Sequence, residues 1–136
     1  MFGNKSTRNY EQFKLVNSCL PIIEKYNAHI GLNCFDNFVI GFSSKYCEEN
    51  KTHFNFILFD LQKENKIKVI ILYGTKLHTK DMNRIEYYVQ AENGKIDMEK
   101  FLFEALEKEK EYIQKNDPEY IDMYLILTRR FFLWGV

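Results

Sequence analysis

The chain has 136 residues, 46% of them apolar, with 19 Lys and Arg balanced by 19 Asp and Glu. That length fits a single domain over residues 1–136, and the apolar fraction supports a buried core and excludes a disordered chain. Zero formal charge excludes a strongly basic nucleic-acid wrapper and an acidic nucleic-acid mimic, so direct nucleic-acid binding is not expected.

No apolar run approaches the roughly 18 residues of a membrane helix, so no membrane association is expected. The polar start, Met1 to Arg8, lacks the apolar segment of a signal peptide. Cys19, Cys34 and Cys47 are an odd number and read as reduced thiols, which suits a cytoplasmic protein.

In chain order, the first segment reads as helix over Asn9–Ala28. Phe13, Val16, Leu20 and Ile23 recur at steps of three and four, widened by Cys19 and Tyr26. Asn9 with Gln12 resembles a capping box. Pro21 predicts a kink near Ser18–Pro21 or two helices meeting there. Ile30–Cys34 and Phe38–Ser43 flank Phe35-Asp36-Asn37 as a hairpin. The polar stretch Ser43–Thr52 reads as a loop.

Thr52–Leu61 and Lys66–Tyr73 are strands joined by four polar residues, which makes them an antiparallel pair. Gly74–Asn83 is a polar connection. Arg84–Gln90 alternates Ile85, Tyr87 and Val89 with polar residues, and Asn93-Gly94 marks the turn after it.

Asp97–Lys115 is the clearest helix. Asp97 serves as N-cap, and Met98, Phe101, Leu102, Ala105, Leu106, Tyr112 and Ile113 form the apolar stripe. Asn116-Asp117-Pro118 ends it. Tyr120–Leu127 reads as a last strand, which Thr128–Trp134 extends or folds back upon. The order is therefore α-β-β-β-β-β-α-β. It predicts an α+β domain with a mainly antiparallel sheet of five to six strands and two helices packed on one face.

No motif for chemistry stands out. Cys34, Cys47, His53 and His78 lack the tight pairs of a structural zinc site, so no metal and no cofactor is expected. Neither a nucleophile elbow nor a phosphate loop is present. His53 and His78, with Lys76 and Arg84, are the residue types that a metal-independent ribonuclease or phosphate-handling enzyme would use as acid, base and phosphorane-stabilising cations.

Charge is segregated along the chain. Residues 1–85 hold twelve basic and eight acidic side chains, and residues 86–122 hold five basic and eleven acidic. Within the acidic stretch, Glu104, Glu107 and Glu111 fall on the outer face of the predicted helix, with Glu99 near the same side. At the C-terminus, Arg130, Phe132 and Trp134 share one face if that segment is extended, a grouping typical of interface anchors.

These features lead to the expectation of a non-catalytic protein-binding module. Its concrete form is a small bacterial or phage inhibitor, such as a toxin-neutralising immunity protein. Glu99, Glu104, Glu107, Glu111, Arg130, Phe132 and Trp134 would bind a protein partner such as a basic toxin or nuclease and occlude its active site. The alternatives are the enzyme built on His53 and His78, and a secretion chaperone or homodimeric scaffold that buries an apolar segment such as Phe131–Trp134 between subunits. The oligomeric state is open at this level.

Overall fold

The computed structural model describes residues 2–75 and 81–134, with side chains described for 10–75 and 81–129. The elements are α1 (Phe2–Ser18), α2 (Leu20–Lys25), β1 (His29–Leu32), β2 (Phe38–Glu48), β3 (Lys51–Leu61), β4 (Lys66–Gly74), β5 (Asn83–Gln90), α3 (Met98–Asn116) and α4 (Ile121–Trp134). The strands form one sheet in the order β1-β2-β3-β4-β5, and every neighbour is antiparallel. The fold is α+β, as the pattern predicts, with four helices in place of two. No helix among the described residues is long and apolar enough to cross a membrane.

Strand alternation gives the sheet two unlike faces. Ile40 and Phe42 of β2, Ile57, Phe59 and Leu61 of β3, and Ile67, Val69 and Ile71 of β4 are fully buried. They pack against Leu15, Val16, Cys19, Ile23 and Tyr26 from the first two helices and the segment that ends them, and against Met98, Leu102, Ala105 and Leu106 of α3. Each such Ile, Leu or Phe contributes roughly 1.5–3 kcal/mol by leaving water. The helices thus cover one face of the sheet.

Pro21 divides the first helix, as its chemistry requires. α1 stops at Ser18, and the proline falls in the first turn of α2, where its missing N–H leaves no bond unmade. The buried stripe differs from the predicted one. Phe13 is 53% exposed, and Asn9 lies inside α1, which already begins at Phe2, and not at its N-terminus. Gln12 takes the inward position. Its Oε1 accepts from the Phe38 N–H at 3.0 Å and its Nε2 donates to Asn37 Oδ1 at 3.1 Å, tying α1 to the β1–β2 turn.

Two segments depart from the sequence reading. Ser43–Thr52 is not a loop. β2 runs to Glu48, Glu49 and Asn50 make the turn, and β3 starts at Lys51. Polarity misleads here because the two strands extend past the core as a ladder. Ser44 is buried on the helix-covered face, its Oγ donating to the Leu127 carbonyl at 2.9 Å.

The C-terminal segment is also not a strand. Asp117 ends α3, Pro118–Tyr120 forms one 3-10 turn, and Ile121–Trp134 is helical. Its buried positions, Tyr124, Leu127 and Thr128, follow helical and not two-residue spacing. The β-prone composition yields to packing, because α4 lies against both α3 and β2.

At the β2–β3 turn, Glu49 and Asn50 have φ of 45° and 66°, the left-handed conformations of a two-residue hairpin. Replacing Asn50 by Gly is expected to stabilise the protein by about 0.5–1 kcal/mol, or ~2–5 °C in Tm. Glu49→Val should destabilise, since a β-branched side chain resists positive φ. Thermal denaturation of both variants checks the opposite signs.

Candidate functional site

α3 and α4 are held side by side by their own polar groups. The Tyr124 hydroxyl of α4 donates to the Leu106 carbonyl of α3, and within α4 Thr128 Oγ1 donates back to the Tyr124 carbonyl at 3.1 Å. At the N-terminus of α3, Asp97 Oδ1 accepts from the Lys100 N–H at 3.2 Å, the cap its position predicts. Between the two helices lies an open groove of about 320 Å³, lined by Phe103, Leu106, Glu107 and Lys110 of α3 and Tyr124, Leu125 and Thr128 of α4. Its exposed apolar groups are Phe103, at 37%, and Leu125, at 47%.

The predicted acidic residues divide. Glu104, Glu107 and Glu111 are exposed, and among the described residues none is in an ion pair with them. Glu107 stands at the groove itself. Glu99 is turned towards α2, where it takes the Lys25 ammonium at 3.3 Å, and this bond raises the pKa of that lysine. Arg130, Phe132 and Trp134 lie on the helical backbone of α4. The alternation that groups Phe132 with Trp134 therefore does not apply, and their side chains lie outside the described residues.

Of the residues of the enzyme alternative, the two described ones, His53 and Arg84, lie on opposite faces of the sheet. His53 points under the helices, packed edge-on against Tyr120 with ring centroids 5.6 Å apart. Arg84 stands on the opposite face of the sheet, bonded to Glu86. Lys76 and His78 lie outside the described residues. Cys34 and Cys47 are exposed free thiols. Cys19 is buried, its Sγ donating to the Leu15 and Val16 carbonyls, and burial pushes the thiol up to about 11, away from nucleophilic use. Among the described residues no group of three or more His, Cys, Asp or Glu is placed to hold a metal.

One polar cluster was not singled out from the sequence. Glu109 of α3 is fully buried, and Asn55 Nδ2 of β3 donates to its Oε1. Tyr73, Tyr87, Tyr120 and Tyr124 surround it. Burial, with added repulsion from the Glu109 carboxylate, holds all four phenols above their ordinary range. Glu109 Oε2, Asn55 Oδ1, His53 Nδ1 and the hydroxyls of Tyr73 and Tyr87 have no hydrogen-bond partner among the described residues. The signal was present in the helix pattern, because position 109 falls on the apolar stripe between Ala105–Leu106 and Ile113.

Burial raises the pKa of Glu109 well above the usual carboxylate range, while the Asn55 bond pulls it down by less. The folded protein therefore retains a proton that the unfolded chain releases above about pH 4.3. Stability must fall as pH rises through that interval. Glu109→Gln keeps the acceptor for Asn55 and removes the titration. Denaturant unfolding across pH 4–8 is expected to show the variant more stable than the parent at high pH, with the gap closing below the ordinary carboxylate pKa. No protein-family model, curated protein or solved structure matches this chain.

Proposed function

We propose that this chain is a non-catalytic protein-binding module whose α3–α4 surface covers a basic protein partner. In its concrete form the partner is a nuclease or other toxin with a phosphate-binding cleft, and the chain inhibits it by occlusion. The observation that carries this reading is the juxtaposition of an apolar groove, with Phe103 and Leu125 exposed, and three carboxylates on the same helix. Apolar anchors supply buried area, and fixed charge of one sign selects a partner of the other and speeds encounter. A cleft that binds phosphates presents the Lys and Arg that Glu104, Glu107 and Glu111 would meet.

The test is a pull-down from native-host lysate at low salt, followed by binding and activity assays on the purified pair. A stoichiometric basic partner is expected, with its activity blocked by this chain. The combined change Glu104→Lys, Glu107→Lys and Glu111→Lys should weaken the complex ~10–100-fold, mainly through slower association, and relieve the inhibition. Leu125→Lys should weaken it through the groove. A partner whose affinity is unchanged by both variants would place the binding surface elsewhere.

A further inference from the structure

Glu109 lies where two packing regions of the protein meet. The first half of α3 belongs to the main core, where Met98, Leu102, Ala105 and Leu106 pack with the side chains of β2, β3 and β4. Beyond Glu109 the packing is a separate, smaller cluster. There Ile113 of α3 meets Tyr73 of β4 and Tyr124 of α4, flanked by Tyr120 and Ile121. The carboxyl is fully buried at this boundary, and its Oε2 has no hydrogen-bond partner among the described residues.

The groups around it come from every element packed there. β3 presents Asn55, whose Nδ2 donates to Glu109 Oε1, and His53, which packs on Tyr120. β4 presents Tyr73, β5 Tyr87, the turn before α4 Tyr120, and α4 Tyr124, all within electrostatic reach of the carboxyl. The Tyr124 hydroxyl gives its proton to the Leu106 carbonyl. Lys108 of α3 lies over the Tyr87 ring, its Nζ 4.9 Å from the centroid, and among the described residues no Lys or Arg pairs with Glu109. The other charges that act on these phenols are Glu104, Glu107 and Asp117, all acidic. A neutral carboxyl suits this setting, whereas a carboxylate meets an apolar wall and further negative charge.

The element placed to give way is α4. Asp117 leaves helical geometry, with φ of −148° and ψ of 61°, and Pro118–Tyr120 makes a single 3-10 turn. Displacing that turn and α4 admits water to Glu109 and leaves the main core intact. Displacing α3 would also uncover Met98, Leu102 and Ala105, which are buried in that core.

We propose that Glu109 is a proton-operated latch on α4. With the carboxyl neutral, α4 closes on the sheet. Ionised, Glu109 favours a state in which residues 118–129 swing away from β2 and β3, hinged at Asp117. Tyr124, Leu125 and Thr128 line the α4 side of the α3–α4 groove, so the latch makes and unmakes that groove. Its use in controlling a partner rests on the binding role proposed above; the opening itself does not.

The direction follows from linkage. The closed protein keeps the proton well above the ordinary carboxylate range, because burial outweighs the Asn55 bond. The open state releases it near the unperturbed value of about 4.3. The closed state is therefore fully favoured below about pH 4.3, and its advantage falls about tenfold per pH unit above that until the closed-state pKa is passed. A proton gained by buried His53 on acidification would act in the opposite sense.

Hydrogen exchange read by mass spectrometry on the free chain, from about pH 5 to pH 8 and corrected for the intrinsic rate, tests the latch. Amides of residues 121–129 are expected to open about tenfold more per pH unit before levelling off. Those of β3 and β4 should remain better protected throughout. Glu109→Gln is neutral at every pH and should abolish the slope. Glu109→Leu should do the same, and it serves if the amide variant fails to fold. Protection of residues 121–129 that does not fall with pH overturns the proposal. So does protection equal to that of β3 and β4 at every pH, which would mean global unfolding only, or a slope that persists in the variants. No partner is needed for this measurement. A pH-dependent α4 in a chain that captures no basic protein leaves the latch standing and removes the binding role.

Discussion

The register of β3 between β2 and β4 is the constraint on which the rest of this structure depends. It lines up Phe42, Ile57 and Ile71, then Ile40, Phe59 and Val69, on the side that receives the helices. It also puts Asn55 under α3, opposite Glu109. A slip of one residue would exchange the faces of the strand. Phe54, Phe56 and Leu58 would then meet the helices, and Asn55 would leave its carboxyl unpaired in the core. Because one side carries the Asn55–Glu109 bond and a fully buried apolar layer, the slipped pairing is penalised twice.

The same register concentrates cost at one end of the core. Towards Ile40, Phe59, Leu61 and Ile67 the interior is apolar. Towards Ser44, Asn55 and Tyr73 it becomes polar and aromatic, where α4 closes the layer. A buried carboxyl with one oxygen unpartnered among the described residues costs free energy that an apolar side chain would not. α4 is secured there by hydrogen bonds from Ser44 and Tyr124 as well as by packing. The two ends of the sheet therefore differ in chemistry although the backbone ladder is continuous.

Much of this was legible in residue order. Alternation in β3, β4 and β5 is intrinsic to the strand, and the short polar links between β3 and β4 leave only an antiparallel hairpin. Asp97, Asn93-Gly94 and Pro21 each act within a few residues of themselves, so their local chemistry decided the structure as expected. The candidate site was legible in part. Glu104, Glu107 and Glu111 are displayed as the helical period places them, but Glu99 belongs with Lys25 of α2, a pairing 74 positions distant in the chain. Leu125 and Phe103 could be grouped only after α4 was known to be a helix beside α3.

Sequence by itself determined the α+β class, the run of antiparallel hairpins, the break at Pro21 and the extent of α3. Those features rest on backbone stereochemistry and on apolar periodicity, which act over a few residues. Tertiary structure alone decided that Ile121–Trp134 coils, that polar residues 43–52 continue the ladder and that Glu109 is interior. In each case the local preference is worth about 1 kcal/mol or less. The contacts that overrule it, α4 on α3 and β2 above all, join residues far apart in the chain.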